Sequence, residues 1–154
     1  MEKNKVIKPD FSKVSATRSR NMAAIRANNT RPEMKIRQAL HASGLRYRLY
    51  DKQLAGKPDL VLKKYKTVIF VQGCFWHKHD CKYFKWPKTN AEFWQQKILN
   101  NVERDAINIQ KLLKDQWRVC VWWECSVRHE DDFLWSVQRF QEWLNDPRSQ
   151  YLEL

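Results

Sequence analysis

Residues Ala55–Gly73 read AGKPDLVLKKYKTVIFVQG. Two short apolar runs rich in β-branched residues, DLVL and TVIFVQ, flank a lysine-rich turn, and Gly73 closes the second run, so the stretch is a predicted β-hairpin. Downstream, Trp94, Ile98, Val102, Ala106, Ile109 and Leu113 recur at helical spacing and predict one long amphipathic helix from Asn90 to about Gln116. RVCVWWE (118–124) then suits a strand buried on both faces, and EDDFLWSVQRFQEWL (130–144) a final helix. Upstream, LRYRLY (45–50) reads as a strand. Before it, Thr30 as N-cap, Pro32 in the first turn, Glu33 completing a Thr-x-x-Glu capping box and Gly44 as terminator bound a helix. Another helix is predicted from Thr17 to about Asn28. The order α, β-hairpin, α, β, α, without repeats or low-complexity linkers, predicts one mixed α/β domain over residues 15–154 behind a flexible basic arm, residues 1–14.

Composition bounds the function. With 154 residues and 43% apolar content the chain can bury one core. No run approaches the ~18 apolar residues of a membrane span, and MEKNKVIKPD lacks the apolar region of a secretory signal, so a cytoplasmic, non-membrane protein is expected. The net charge of +12 favours an anionic partner. It is uneven: residues 1–50 hold 12 basic and 3 acidic side chains, which leaves 17 and 14 for the remainder. Seven aromatics crowd positions 75–94, namely Phe75, Trp76, Tyr83, Phe84, Trp86, Phe93 and Trp94, more flat surface than one short segment needs for a core.

The four cysteines point to metal rather than to disulfides, since thiols stay reduced inside a cell. Cys74, His77, His79 and Cys81 fall within eight residues directly after a strand, the donor types that tetrahedral zinc selects. One or two further donors must come from elsewhere. Cys120 lies inside the apolar strand, as a core thiol would, whereas Cys125 lies just past its end. Cys74, His79, Cys81 and Cys125 are therefore favoured as a closed, structural set, leaving His77 free. Pro58-Asp59 opens the first hairpin strand; a carboxylate at a strand start beside a second strand end, on a basic protein, can hold Mg²⁺ near a phosphodiester. Capping a turn is the competing reading for Asp59.

The runs Gly56-Lys-Pro-Asp59, Val68-Ile-Phe-Val-Gln-Gly-Cys-Phe-Trp-His77-Lys-His79-Asp-Cys81, Glu92-Phe-Trp94, Lys97-Ile98, Asn101-Val-Glu-Arg-Asp105 and Trp117-Arg-Val with Trp123-Glu-Cys125 resemble the very short patch repair (Vsr-type) DNA mismatch endonucleases. Arg18-Ser-Arg-Asn-Met22 is similar to that family's N-terminal arm. The resemblance spans about Thr17 to Cys125. It implies a restriction-endonuclease-like (PD-(D/E)xK-type) mixed sheet flanked by helices, with a structural zinc site. It also implies a Mg²⁺-dependent nick on the 5′ side of the thymine in a T·G mismatch, the product of 5-methylcytosine deamination.

Carried over by position, Asp59 would be the catalytic carboxylate and the carbonyl of Val71 a further Mg²⁺ contact. His77 would hydrogen-bond to a water at the metal or to the scissile phosphate, and Glu33 and Asp105 would orient the waters around it. The zinc set named above matches the family's. One departure stands out: many relatives have Thr-His where this chain has Val71-Gln72, so an amide replaces an imidazole. From the residues alone, Glu33 has a full explanation as a capping-box residue, and Asp105 as a helix charge paired with Arg104 or Lys111.

Recognising a mismatch requires deforming the duplex, and aromatic wedges between base steps compensate for lost stacking. The resemblance assigns Phe75, Trp76 and Trp94 to a major-groove wedge and Met22 to the minor-groove side. Phe84, Phe93, Trp117 and Trp122 are left in the core, and Trp86 is undecided. Arg18, Arg20, Arg26 and Lys35 are candidate phosphate contacts. The expected partners are T·G-mismatched duplex DNA, mismatch-repair proteins and a repair polymerase, met by a monomer. Two other readings stay open: a catalytically silent, zinc-stapled mismatch-binding module, favoured by Val71-Gln72, and a restriction-type enzyme cutting both strands.

Overall fold

The computed structural model describes residues 6–154, and residues 1–5 of the expected flexible arm lie outside the described residues. The hairpin forms as its pattern predicts: β2 (Leu60–Leu62) pairs antiparallel with β3 (Thr67–Gln72), opposing Leu60 to Ile69 and Leu62 to Thr67. Its lysine-rich link is a 3₁₀ turn, Lys63–Tyr65, with Lys66 left-handed at φ 47°. The helix α3 (Ala91–Lys114) follows, and β4 (Arg118–Trp123) returns parallel to β3. An antiparallel return needs only a turn, whereas this parallel one uses the whole helix as its crossover.

Two helices precede and follow this unit. α2 (Arg31–Ala42) starts at Thr30, whose hydroxyl accepts from the Glu33 amide at 3.4 Å, and ends before Gly44, at φ +84°. α4 (Glu130–Asn145) matches its apolar period. The first helix, α1 (Ala16–Ala23), is capped by Ser15 and is shorter than expected, ending five residues before Asn28. The strand expected over 45–50 narrows to β1 (Arg48–Leu49), antiparallel to β2. A strand not foreseen, β5 (Tyr151–Glu153), runs parallel to β4 on its other side. Three residues show too little alternation to be seen in sequence, and β5 exists because β4 offers an open edge. The five-stranded mixed sheet has the order β1-β2-β3-β4-β5.

Alternation splits the core across the two faces. Leu60, Leu62, Ile69, Cys120 and Trp122 pack with Ile36 and Leu40 of α2 and Phe133, Phe140 and Trp143 of α4. Val61, Val68, Phe70, Val119, Val121 and Trp123 face Leu112 of α3. β4 is thus buried on both faces, as its apolar run predicts. Trp122 is in the core and Trp117 packs against the α3-side core, while Phe84 and Phe93 are only half-buried and outside it, a correction to their core assignment. Phe84 lies just after the zinc-type loop against Phe75 and Trp86, and Phe93 at the start of α3 against Phe11 and Trp94. The Asn90 side-chain amide accepts from Asp10 N–H at 3.0 Å and donates to Asp10 O at 2.8 Å, and Phe11 meets Phe93 edge-on at 6.3 Å. No described helix is long and apolar enough to cross a membrane.

Candidate active site and metal centre

The same alternation aims the catalytic candidates. Asp59, one residue before β2, falls on the α3 face with Val61, and Gln72 falls there with Val68 and Phe70. Antiparallel pairing brings the start of β2 beside the end of β3, and the Val71 amide donates to Asp59 Oδ2 at 2.7 Å. From the facing helix, Asp105 accepts a short hydrogen bond from His77 Nδ1. Asp59, Val71, Gln72, His77 and Asp105 line one cavity of about 550 Å³, together with Asn108 and three cations, Lys52, Lys57 and Arg104. The loop before Asp59 lies close against α3 because Gly56 has no side chain. A Cβ there would sit 3.1 Å from Asn108 and Phe70, and the residue has φ +75°.

Burial pushes the Asp59 carboxyl up from 3.8 to about 6; the Val71 amide and the charges of Arg37 and His77 oppose the rise, and Glu33 adds to it. A carboxylate held at this cost, next to a strand end with main-chain oxygens, offers the hard donors that Mg²⁺ takes. In His77, the Nδ1–H is committed to Asp105, so Nε2 is the nitrogen left to accept a proton. The Asp105 partner is therefore His77 more closely than Arg104, which stands 3.9 Å away. Gln72 is 7% exposed and lines the same cavity.

Glu33 departs from its expected places. Its side chain does not close a capping box: Oε1 accepts from Arg37 Nη2 and from the Tyr50 hydroxyl, and Glu33 is 2% exposed. Nor is it among the residues lining the cavity. Arg37, 7% exposed, also donates to Asn29 Oδ1 at 2.8 Å and to Tyr50 Oη. This buried network beneath Asp59 was missed from sequence. The i, i+4 spacing of Glu33 and Arg37 signals the pair; nothing local signals Tyr50, which arrives from the end of β1.

The zinc candidates converge. Ligand atoms of Cys74, His79, Cys81 and Cys125 all lie within 4.8 Å of one another, with His79 Nδ1 3.6 Å from Cys74 Sγ and 3.4 Å from Cys125 Sγ. None of the four cysteines of the chain is in a disulfide. Burial pushes the Cys74 thiol up to about 12 and the Cys125 thiol upward, and it lowers His79, favouring the neutral imidazole. Three sulfurs and a neutral imidazole at this spacing form a donor set that tetrahedral zinc fits, and a cation would relieve the cost of ionising the buried thiols. The His79 ring stacks on Trp123 at 4.1 Å. Cys120 is fully buried in β4, apart from the cluster.

Between the ligands, Phe75 and Trp76 are half-buried and meet edge-on at 5.1 Å. Asn101 of α3 holds the loop by donating to Trp76 O at 3.0 Å, and Lys97 Nζ lies 5.5 Å from the Trp76 and Trp94 rings. Trp94 is 8% exposed and packs behind both, 5.6 Å from Phe75 and 5.8 Å from Trp76. Trp86 is exposed, edge-on to Phe84. Across a cleft of about 520 Å³, Arg18 and Met22 of α1 face Phe75 and Trp94. Arg20 and Arg26 are exposed, whereas Lys35 is engaged, 2.7 Å from Glu130 and 4.4 Å above the Phe133 ring.

A basic mixed-sheet protein with an acid–histidine cavity at a strand end carries the groups that a metal-assisted nuclease uses. The family model for DNA mismatch endonuclease Vsr matches residues 9–83. A protein of Escherichia coli (strain K12) named DNA mismatch endonuclease Vsr is 44% identical over 131 residues, 84% of each chain. The type II nicking enzyme V.NmeAIP of Neisseria meningitidis serogroup A is 45% identical over 116 residues, 75% of this chain and 83% of its own. The type II nicking enzyme V.XorIIP of Xanthomonas oryzae is 42% identical over 106 residues, 69% of this chain and 78% of its own. The chain belongs to the Vsr family of DNA mismatch endonucleases, and it is an endonuclease acting on DNA.

Proposed function

We propose that this endonuclease is a Mg²⁺-dependent nickase that cuts one strand 5′ of the thymine in a T·G mismatch, such as deamination of 5-methylcytosine leaves, and so starts very short patch repair. The observation that carries the reading is the placing of Asp59, the end of β3 and the Asp105-held His77 around one cavity, with the aromatic loop beginning directly after β3.

Asp59 and the main-chain carbonyl of Val71 would hold Mg²⁺, which when bound supplies Lewis-acid polarisation of the phosphate and lowers the pKa of water. His77 takes a proton from the attacking water at Nε2, and Asp105 fixes its tautomer and stabilises the imidazolium that results. Oxygen attacks phosphorus in line and the 3′ oxygen departs, taking a proton from solvent. The ends are a 5′-phosphate and a 3′-hydroxyl, which a repair polymerase can extend. Gln72 donates to a phosphate oxygen or to the water. Glu33 acts through its charge on Asp59, its carboxylate being taken up by Arg37 and Tyr50. Phe75 and Trp76 form the wedge, with Trp94 as their backing, while Met22, Arg18, Arg20 and Arg26 grip the duplex from α1 and the segment after it. Zinc on Cys74, His79, Cys81 and Cys125 keeps the wedge rigid.

Purified full-length protein should be offered duplexes with each mismatch in several sequence contexts, with and without Mg²⁺, and the products resolved by strand. A single cut 5′ of T in T·G duplexes, only with Mg²⁺, is expected. Cleavage of both strands, or equal cutting of paired duplexes, would overturn the reading; T·G binding without a nick would restore the silent binding module.

A further inference from the structure

The Asp59 cavity is one end of a longer groove. Ala27, Val71, Gln72 and His77 line it and also line a second cavity, of about 500 Å³, that reaches Trp76. Pro32 and Glu124 are shared in turn by that second cavity and a third, of about 630 Å³, near the starts of α2 and α4. Cations stand at both ends. Lys52, Lys57 and Arg104 line the first cavity, and Arg31 and Arg128 the third. Arg31, Lys52 and Lys57 are exposed and form no ion pair among the described residues. Arg128 is 2.9 Å from Glu124, but a surface pair of this kind contributes little and yields to a better anion. Its guanidinium lies 4.5 Å from the Tyr83 ring, which holds it as a flat, oriented donor.

We infer that this groove is the track of the nicked strand's phosphodiester backbone: Lys52, Lys57 and Arg104 hold phosphates on one side of the scissile linkage, and Arg31 and Arg128 hold those on the other. The inference rests on the reading of the protein as a mismatch nickase. A backbone laid along the groove passes Asp59 and His77 and presents its bases beside Trp76, which lines the middle cavity. The loop carrying Lys52 and Lys57 is kept at the groove by the close packing of Gly56 on α3. Lys35, engaged by Glu130, is left out of the track.

The test is binding of T·G duplexes without Mg²⁺, read by fluorescence anisotropy over a range of salt. Each charge-removed pair, Lys52→Gln with Lys57→Gln or Arg31→Gln with Arg128→Gln, should lower the slope of log affinity against log salt by about 2, since each neutralised phosphate contributes about 0.9. Duplexes carrying one uncharged methylphosphonate linkage then assign the strand. Linkages flanking the nick in the thymine strand should weaken binding by the parent, and the loss on one side should vanish in the matching pair of substitutions only. Losses confined to linkages in the complementary strand would overturn the track, as would parental salt slopes in both variants. The methylphosphonate series on the parent decides even where a variant fails to fold. A parent preparation that does not nick T·G duplexes overturns the nickase reading instead, whereas one that nicks with unaltered slopes in the variants overturns the track alone.

Discussion

Asp59→Asn should abolish nicking and at the same time make the metal-free protein more stable. In the fold the carboxyl titrates near 6 instead of 3.8, because burial disfavours its charged form more than the Val71 amide, Arg37 and His77 favour it. At about 1.4 kcal/mol for each tenfold change, that difference is about 3 kcal/mol against folding once Asp59 is ionised. The folded chain binds the proton more tightly than the unfolded chain, so ionisation subtracts nothing below pH 3.8. The penalty grows between 3.8 and 6 and is complete above 6. Asn keeps an oxygen to accept from Val71 and carries no charge. The variant should therefore match the parent near pH 4 and exceed it by up to about 3 kcal/mol at pH 7.5, or about 6–12 °C in Tm for a chain of this size. Urea denaturation at both pH values, without added Mg²⁺, measures the difference. Added Mg²⁺ should narrow the gap by stabilising the parent only. A variant no more stable than the parent at pH 7.5, or equally more stable at both pH values, would refute the account of Asp59 as a carboxylate held at a cost.

Glu33→Ala leaves the buried Arg37 guanidinium without its carboxylate and should cost about 3–5 kcal/mol in urea denaturation, and a loss under 1 kcal/mol would show the pair to be solvated. Asp105→Asn, which frees the His77 tautomer, should lower kcat by about 10²-fold or more with DNA affinity held, as single-turnover nicking and anisotropy would show; parental kcat would remove the pair from the chemistry. Metal analysis should find one zinc per chain, lost in Cys125→Ser together with hydrogen-exchange protection across residues 74–81; unchanged protection in a zinc-free chain would count against a structural zinc. Trp76→Ala should erode the preference for T·G over paired duplexes more than it weakens binding overall, and an intact preference would take Trp76 out of the wedge.

Local pattern was enough for most of the scaffold. The runs DLVL, TVIFVQ and RVCVWW state their strands through β-branched and apolar density, and the apolar period of residues 94–113 states α3, because these signals lie in adjacent residues and survive without tertiary context. The cysteine–histidine block was legible for the same reason: the ligand types stand within eight residues, and only Cys125 had to be brought from a distance. Signals spread over distant segments were not legible. β5 is a strand because β4 leaves an edge to pair with, which no three-residue pattern encodes. Glu33 looked like a helix cap until the fold set Arg37 and Tyr50 against it, since burial makes a carboxylate take the strongest donors near it. Trp94 reads as one of three equal aromatics in sequence, yet helix packing puts it behind Phe75 and Trp76. Residue types and their short-range spacing thus determined the strands, the long helix, the metal-type cluster and the family. Which carboxylate is free, which is paired, which histidine nitrogen faces the cavity and where the cations lie along the groove were decided only when folding brought segments a dozen or more residues apart into contact, because desolvation and hydrogen bonding act through space and not along the chain.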